Sequence, residues 1–266
     1  MLESITSVQN PRVKHLVRLR ESAHRRRQGR FPVEGRRELE RALAAGWPLE
    51  TLYFCPEFFS EGVETDLLEE AEDRGVEMVQ MAAEPFRKAA YREHPDGFLA
   101  VAKAVRRDLA DLVLSSPPLL LVAAGVEKPG NLGALARTAD AAGADALVVC
   151  DPVCDLFNPH AIRASQGSLF RLPVAAAGAE DVVRWLESGG VRVFATTPSA
   201  QKDLWEADYR EPTAFILGAE ATGLDPTWFA RGESVRLPMR GLADSLNVSA
   251  MAAVALFEAV RQRRAQ

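Results

Sequence analysis

The 266-residue chain reads as an α/β protein of two units: a larger C-terminal domain built on a parallel sheet, preceded by a smaller α/β domain. Three observations predict this. Short, near-continuous apolar runs at 119–126, 146–150 and 213–218 alternate with helix-length segments, as strands covered on both faces do. Residues 105–118 mix charges, serines and Pro117-Pro118, the composition of a linker, and place a boundary at 105–117. The length exceeds what one small core absorbs.

The elements follow in order. A basic helix covers 11–27. Residues 34–46 form a helix with Leu39, Ala42 and Leu43 on one face and Gly46 as its stop, followed by a strand at 49–55. A helix at 66–74 and strands at 76–81 and 98–104 complete a first domain of residues 1–104. The second domain, 118–266, contains strands at 119–126, 146–150, 191–197, 213–218 and 234–238. Its helices lie at 131–142, 159–167, 179–188 and 247–262. A doubly wound sheet of this kind holds its ligand at the carboxyl ends of the strands.

Composition narrows the class. With 47% apolar and 26% charged residues, the chain is neither disordered, collagen-like nor a coiled coil. The most apolar stretch, 112–126, is broken by Ser115-Ser116-Pro117-Pro118 and falls short of the roughly 20 residues a spanning helix needs, so no membrane span is expected. The N-terminus lacks the apolar core of a secretion signal, and a cytoplasmic location is expected. Cys55, Cys150 and Cys154 match no zinc or disulfide framework, and the four histidines never fall three to five residues apart; no metal is expected. Residues 1–41 carry 11 basic and 5 acidic side chains, a charge of +6 that leaves −11 for the remainder of a chain of net charge −5. A basic segment on an acidic body suits a phosphate backbone, although a solvated arginine-rich helix gives the same pattern.

Three clusters follow three of the apolar strands. In the first, Pro129-Gly130 turns the chain, Asn131 can cap the next helix, and Arg137 stands on an alanine-rich helix; structural and anion-binding roles are equally open to it. In the second, Gly218 and Gly223 fall short of a dinucleotide fingerprint, and Glu220 reads as a loop acid or a turn cap. In the third, Ser245, Asn247 and Ser249 are all strong cap types, more than one helix start requires. No G-x-S-x-G elbow surrounds the serines, which disfavours a serine hydrolase.

The segments GVEKPGNLGALARTADAAGAD, FILGAEATGL and LPMRGLADSLNVSAMAAVALFEA, in that order, strongly resemble the three motifs of the SpoU (TrmH-like) branch of the SPOUT RNA methyltransferases. NPHAIRASQGSLFRLPV resembles the segment between the first two. ITSVQNPRVKHLVRLR and GRFPVEGRRELERAL resemble an L30e-like substrate-binding extension, from which Pro32 departs by placing a proline where an aliphatic residue is expected.

The resemblance implies a deep trefoil knot in the C-terminal domain and methyl transfer from S-adenosylmethionine to a ribose 2′-hydroxyl. It implies cofactor contacts at Leu217, Gly218, Leu237, Met239 and Leu246, and an active site of Asn131, Arg137, Glu220, Ser245 and Asn247. A homodimer joined through the knotted domains is implied as well. Arg25, Arg26, Arg27 and Arg30 are expected to position structured RNA, with 23S rRNA favoured over tRNA. Two rivals are a noncatalytic RNA-binding or ribosome-assembly protein and a nucleotide-dependent oxidoreductase. The first conflicts with the intact motif residues, the second with the missing G-x-G-x-x-G.

Overall fold

Asn10 and Pro11 open the first helix as their chemistry dictates: the Asn10 side chain accepts the Arg12 amide at 2.8 Å, and proline occupies the first turn, where no amide donor is needed. The structure, a computed structural model, describes residues 3–60, 65–219 and 223–264. The chain divides into two units, Met1–Val105 with Asp155–Arg171, and Arg106–Cys154 with Leu172–Gln266.

The first unit runs β1 (Glu3–Ile5), α1 (Pro11–Arg18), α2 (Ser22–Gln28), β2 (Arg30–Glu34), α3 (Arg36–Ala44), β3 (Leu49–Phe54), α4 (Thr65–Asp73), β4 (Glu77–Met81), α5 (Ala83–Ala89) and β5 (Phe98–Lys103). Its five-stranded sheet has the order β1-β4-β3-β5-β2; β1, β4 and β3 are parallel, and β5 runs antiparallel to both β3 and β2. Pro32 lies in β2 at the sheet edge, opposite Val101, where a missing amide donor is tolerated. The expected single helix at 11–27 is two. The Arg25 guanidinium donates to the carbonyls of Leu19 and Arg20 at 2.9 and 2.7 Å, satisfying acceptors that a continuous helix would have bonded internally. Against one face of the sheet pack Val13, Leu16, Leu19 and Phe86, all buried with Ile5, Val79 and Leu99.

The second unit runs β6 (Leu119–Ala124), α6 (Pro129–Ala142), β7 (Ala146–Cys150), and then, beyond 171, β8 (Val174–Ala177), α9 (Ala179–Ser188), β9 (Arg192–Thr196), β10 (Lys202–Asp203), β11 (Thr213–Leu217), α10 (Pro226–Arg231), β12 (Glu233–Arg236) and α11 (Val248–Arg264). Its seven strands are ordered β10-β12-β9-β11-β6-β7-β8, and every neighbouring pair is parallel. The central strands are apolar throughout because both faces are covered: Leu120, Val148, Val193 and Ile216 pack with Val182, Leu186 and Trp228.

Residues 155–171, with α7 (Pro159–Ser165) and α8 (Ser168–Arg171), were expected to continue the C-terminal domain; by contact they cluster with the first unit. Aromatic packing and one ion pair account for this. Phe157 stacks on Phe31 at 4.7 Å between ring centroids, Phe170 meets Trp47 at 5.3 Å, and Asp155 accepts from Arg25 at 2.6 Å.

Candidate active site

The carboxyl ends of three adjacent strands, β12, β9 and β11, frame a cavity of about 270 Å³. Thr196 and Thr197 enter from β9, Leu217 to Ala219 from β11, and Val235 to Leu237 from β12. The loop carrying Met239, Asp244, Ser245 and Leu246 forms another wall, and Val248 and Met251 of α11 close it. All five residues expected at the cofactor, Leu217, Gly218, Leu237, Met239 and Leu246, therefore line one recess, with Ser245 beside them.

Glycine is required at 218 by close packing. A Cβ there would meet the carbonyl group of Gly223 and lie 2.7 Å from the Leu224 amide nitrogen, because the two backbone stretches cross at contact distance. The Gly223 amide donates to the Ala219 carbonyl at 2.9 Å and fixes that crossing. A cradle of bare backbone beside leucine and methionine side chains offers amides to a polar heterocycle and apolar walls to its faces.

A second recess of about 250 Å³ shares Gly218, Ala219 and Val248 with the first and adds Val126, Glu127, Lys128 and Asn131. Asn131, in the first turn of α6, meets Asn247, just before α11, because α6 and α11 pack against one another. The Asn247 Nδ2 donates to Asn131 Oδ1 at 3.3 Å, while Asn247 Oδ1 accepts the Ser249 amide at 3.0 Å and the Ser249 hydroxyl at 2.7 Å. Two capping contacts thus set the orientation of the Asn247 amide and aim its NH₂ group at Asn131.

Arg137 stands on the exposed side of α6 and lines neither recess. Among the described residues its guanidinium has no hydrogen bond or ion pair. Glu220 lies outside the described residues. At the end of β7, Cys150 sits beside Asp151, and burial followed by that carboxylate pushes its thiol up to about 12, so it is no nucleophile. Sequence reasoning missed Thr196, Thr197, Asp244 and Met251 as lining residues. Only the strand ends at 196 and 197 were visible as a rule of open sheets.

The four arginines expected at RNA fare unequally. Arg25 is buried and bound to Asp155 through Nε and Nη2 at 2.9 and 2.6 Å, so it is a structural ion pair turned away from solvent; this corrects the expectation for that residue. Arg30 is held by Glu50. Arg27 donates to His24 Nδ1 at 2.9 Å but stays exposed, as does Arg26. Among the described residues no group of three or more His, Cys, Asp or Glu is placed to hold a metal, and no helix is long and apolar enough to cross a membrane.

Residues 118–257 match the SpoU rRNA methylase family, and residues 10–100 match the MRM3-like substrate binding domain. The first match covers more than half of the chain. The protein belongs to the SpoU rRNA methylase family. It is 30% identical over 257 residues to the 23S rRNA (guanosine(2553)-2′-O)-methyltransferase RlmP of Bacillus subtilis, covering 96% of this chain and 98% of the relative. It is 32% identical over 249 residues to the 23S rRNA (uridine(2479)-2′-O)-methyltransferase of Streptomyces viridochromogenes, covering 90% and 85%. A solved structure of an AdoMet-bound rRNA methyltransferase from Sinorhizobium meliloti superimposes with a TM-score of 0.87 at 32% identity, covering 98% of each chain. The SpoU chain is accordingly an S-adenosylmethionine-dependent RNA 2′-O-methyltransferase, and the enzyme class and cofactor expected from its motifs both hold.

Proposed function

We propose that this SpoU chain methylates a ribose 2′-hydroxyl of 23S rRNA, with its cofactor in the recess between β11, β12 and the 239–246 loop. The observation that carries the reading is the joining of that recess to the Asn131–Asn247 pair through Gly218, Ala219 and Val248. When bound, S-adenosylmethionine supplies a methyl group activated by a sulfonium. Leu217, Gly218, Leu237, Met239 and Leu246 hold the cofactor, and Asn131, Asn247 and Ser245 orient the attacking hydroxyl.

Arg137 does not act as a general base, since a guanidinium stays protonated below about pH 12. From its exposed place on α6, outside both recesses of its own chain, it serves a site completed by a second copy, where it binds the adjacent phosphate and stabilises the developing alkoxide while that phosphate or water takes the proton. The first unit, with an L30e-like fold, supplies RNA affinity; its match to a substrate-binding domain and the exposed Arg26 and Arg27 support this. The trefoil knot is read from the motifs of the second unit, and the partly exposed apolar stripe of Ala250, Val254 and Phe257 on α11 supports a homodimer. The enzyme acts in the cytoplasm, the location its sequence leads one to expect.

The test is tritiated methyl transfer from S-adenosylmethionine to rRNA and, separately, to tRNA. Label is expected in 23S rRNA, lost in Arg137→Ala and not restored by Arg137→Lys. Label in tRNA alone, or full activity in Arg137→Ala, overturns the corresponding part of the reading.

A further inference from the structure

A polar cleft of about 570 Å³ lies within the first unit, between α3, the 92–96 segment and α7. Four arginines and three acids line it, together with Gln166, a net charge of +1. The acids are already engaged. Glu40 pairs with Arg36 at 2.6 Å and Glu38 with Arg92 at 2.8 Å, while Asp96 accepts the Arg36 amide at 2.9 Å and lies 3.6 Å from Arg92. Arg92 also donates to the Glu34 carbonyl at 2.8 Å, so it is a built-in strut; a Cβ on Gly35, whose φ is +112°, would collide with it.

That leaves Arg37 from α3 and Arg163 from α7. Both are exposed, both line the cleft, and among the described residues neither guanidinium has a hydrogen bond or an ion pair. Beside Arg163 the chain adopts a rarely used conformation: Gln166 has φ +50° and ends α7 left-handed, with its carbonyl taken by Arg41 and the next residue, Gly167, packed against the Arg41 stem. Non-glycine residues are held this way only when their surroundings over-determine them. Here the result is that Gln166 joins the arginines on the cleft wall.

We propose that this cleft binds the phosphodiester backbone of the RNA substrate, with Arg37 and Arg163 as its two phosphate-contacting residues. Guanidinium forks match phosphate oxygens bidentately, and two of them released from internal ion pairs at one cleft form a site for an extended polyanion. The inference rests on the reading of the protein as an RNA methyltransferase. It moves the backbone contact away from the buried Arg25 and the paired Arg30.

The test is equilibrium binding of labelled, deproteinised 23S rRNA to the full-length protein across a salt series, alongside calorimetry with S-adenosylmethionine. The Arg37→Ala/Arg163→Ala double variant is expected to bind RNA at least tenfold more weakly and to flatten the slope of log K against log salt by about 1.4 to 1.8, two phosphate contacts' worth. Cofactor affinity is expected to stay at the wild-type value. The Arg37→Lys/Arg163→Lys variant, which keeps the charge and guards against a folding defect, should retain the salt slope while losing about threefold in affinity. RNA affinity and slope unchanged in both variants overturn the cleft. Wild-type protein that fails to methylate RNA overturns the underlying reading instead, a result separate from either binding curve.

Discussion

At residue 218 packing alone demands glycine. Glycine sits where the chain leaves β11, and the backbone at 223–224 occupies the space a side chain would take. Alanine would force the two stretches apart, an overpacking of about 1–3 kcal/mol at the floor of the recess. Gly218→Ala is therefore expected to weaken S-adenosylmethionine binding roughly 10- to 100-fold while leaving the circular dichroism of the fold intact. Calorimetric titration checks it; an unchanged affinity would remove the cofactor from this strand end. Asn131 and Asn247 make the complementary point. Each is a plausible cap by sequence, but α6 starts at Pro129 behind Lys128, so Asn131 lies within its first turn, and the packing of α6 on α11 brings it into a hydrogen bond with Asn247.

Among the elements, α1 and α2 carry a titratable contact that their sequence does not announce. His15 and His24 meet edge to face at 5.4 Å, with ring nitrogens 3.5 Å apart and the Arg27 guanidinium on the other nitrogen of His24. Burial, then the charge of His24, lowers the pKa of His15; burial, then Arg18 and Arg27, lowers that of His24. The unfolded chain therefore takes up protons first, near pH 6.5, and stability present above that value is lost as pH falls towards the lowered folded values. The melting temperature is expected to drop by several degrees between pH 7 and pH 5, and His24→Gln to flatten the drop. Equal pH profiles for the two proteins would show the pair to be uncoupled from folding. The same two helices mark where sequence reading stops. Hydrophobic spacing and charge gave helical content over 11–27, but the break at 19–21 depends on Arg25 reaching the Leu19 and Arg20 carbonyls, a contact that turns a presumed RNA ligand into a helix terminator. The strands β6, β7 and β11 were legible because continuous apolar runs are hard to mistake. The two-residue β10, the three-residue β1 and the short α10 exist through pairing and packing that a local pattern does not record.

For the whole molecule, most of the recess at the sheet's carboxyl edge was legible through ordered motifs, while the membership of residues 155–171 was not, because it depends on Phe157 and Phe170 finding Phe31 and Trp47 far away in the chain. On α11, Ala250, Val254 and Phe257 succeed one another at i, i+4 and i+7, and Phe257 is 48% exposed while Ala252, Ala255, Leu256 and Ala259 face the core. A second apolar stripe on a helix whose first stripe is already buried calls for a partner, and a twofold contact would lay the stripe against its own copy. Burying the exposed half of Phe257 would stabilise by on the order of 1 kcal/mol, and a twofold contact would supply it twice. The 29.0 kDa chain is expected to sediment as a dimer. Phe257→Asp should shift it to the monomer, because a twofold contact through this stripe would set two carboxylates in apolar surroundings. If the wild type sediments as a monomer at micromolar concentration, or if the aspartate variant remains dimeric, the stripe on α11 is not the contact.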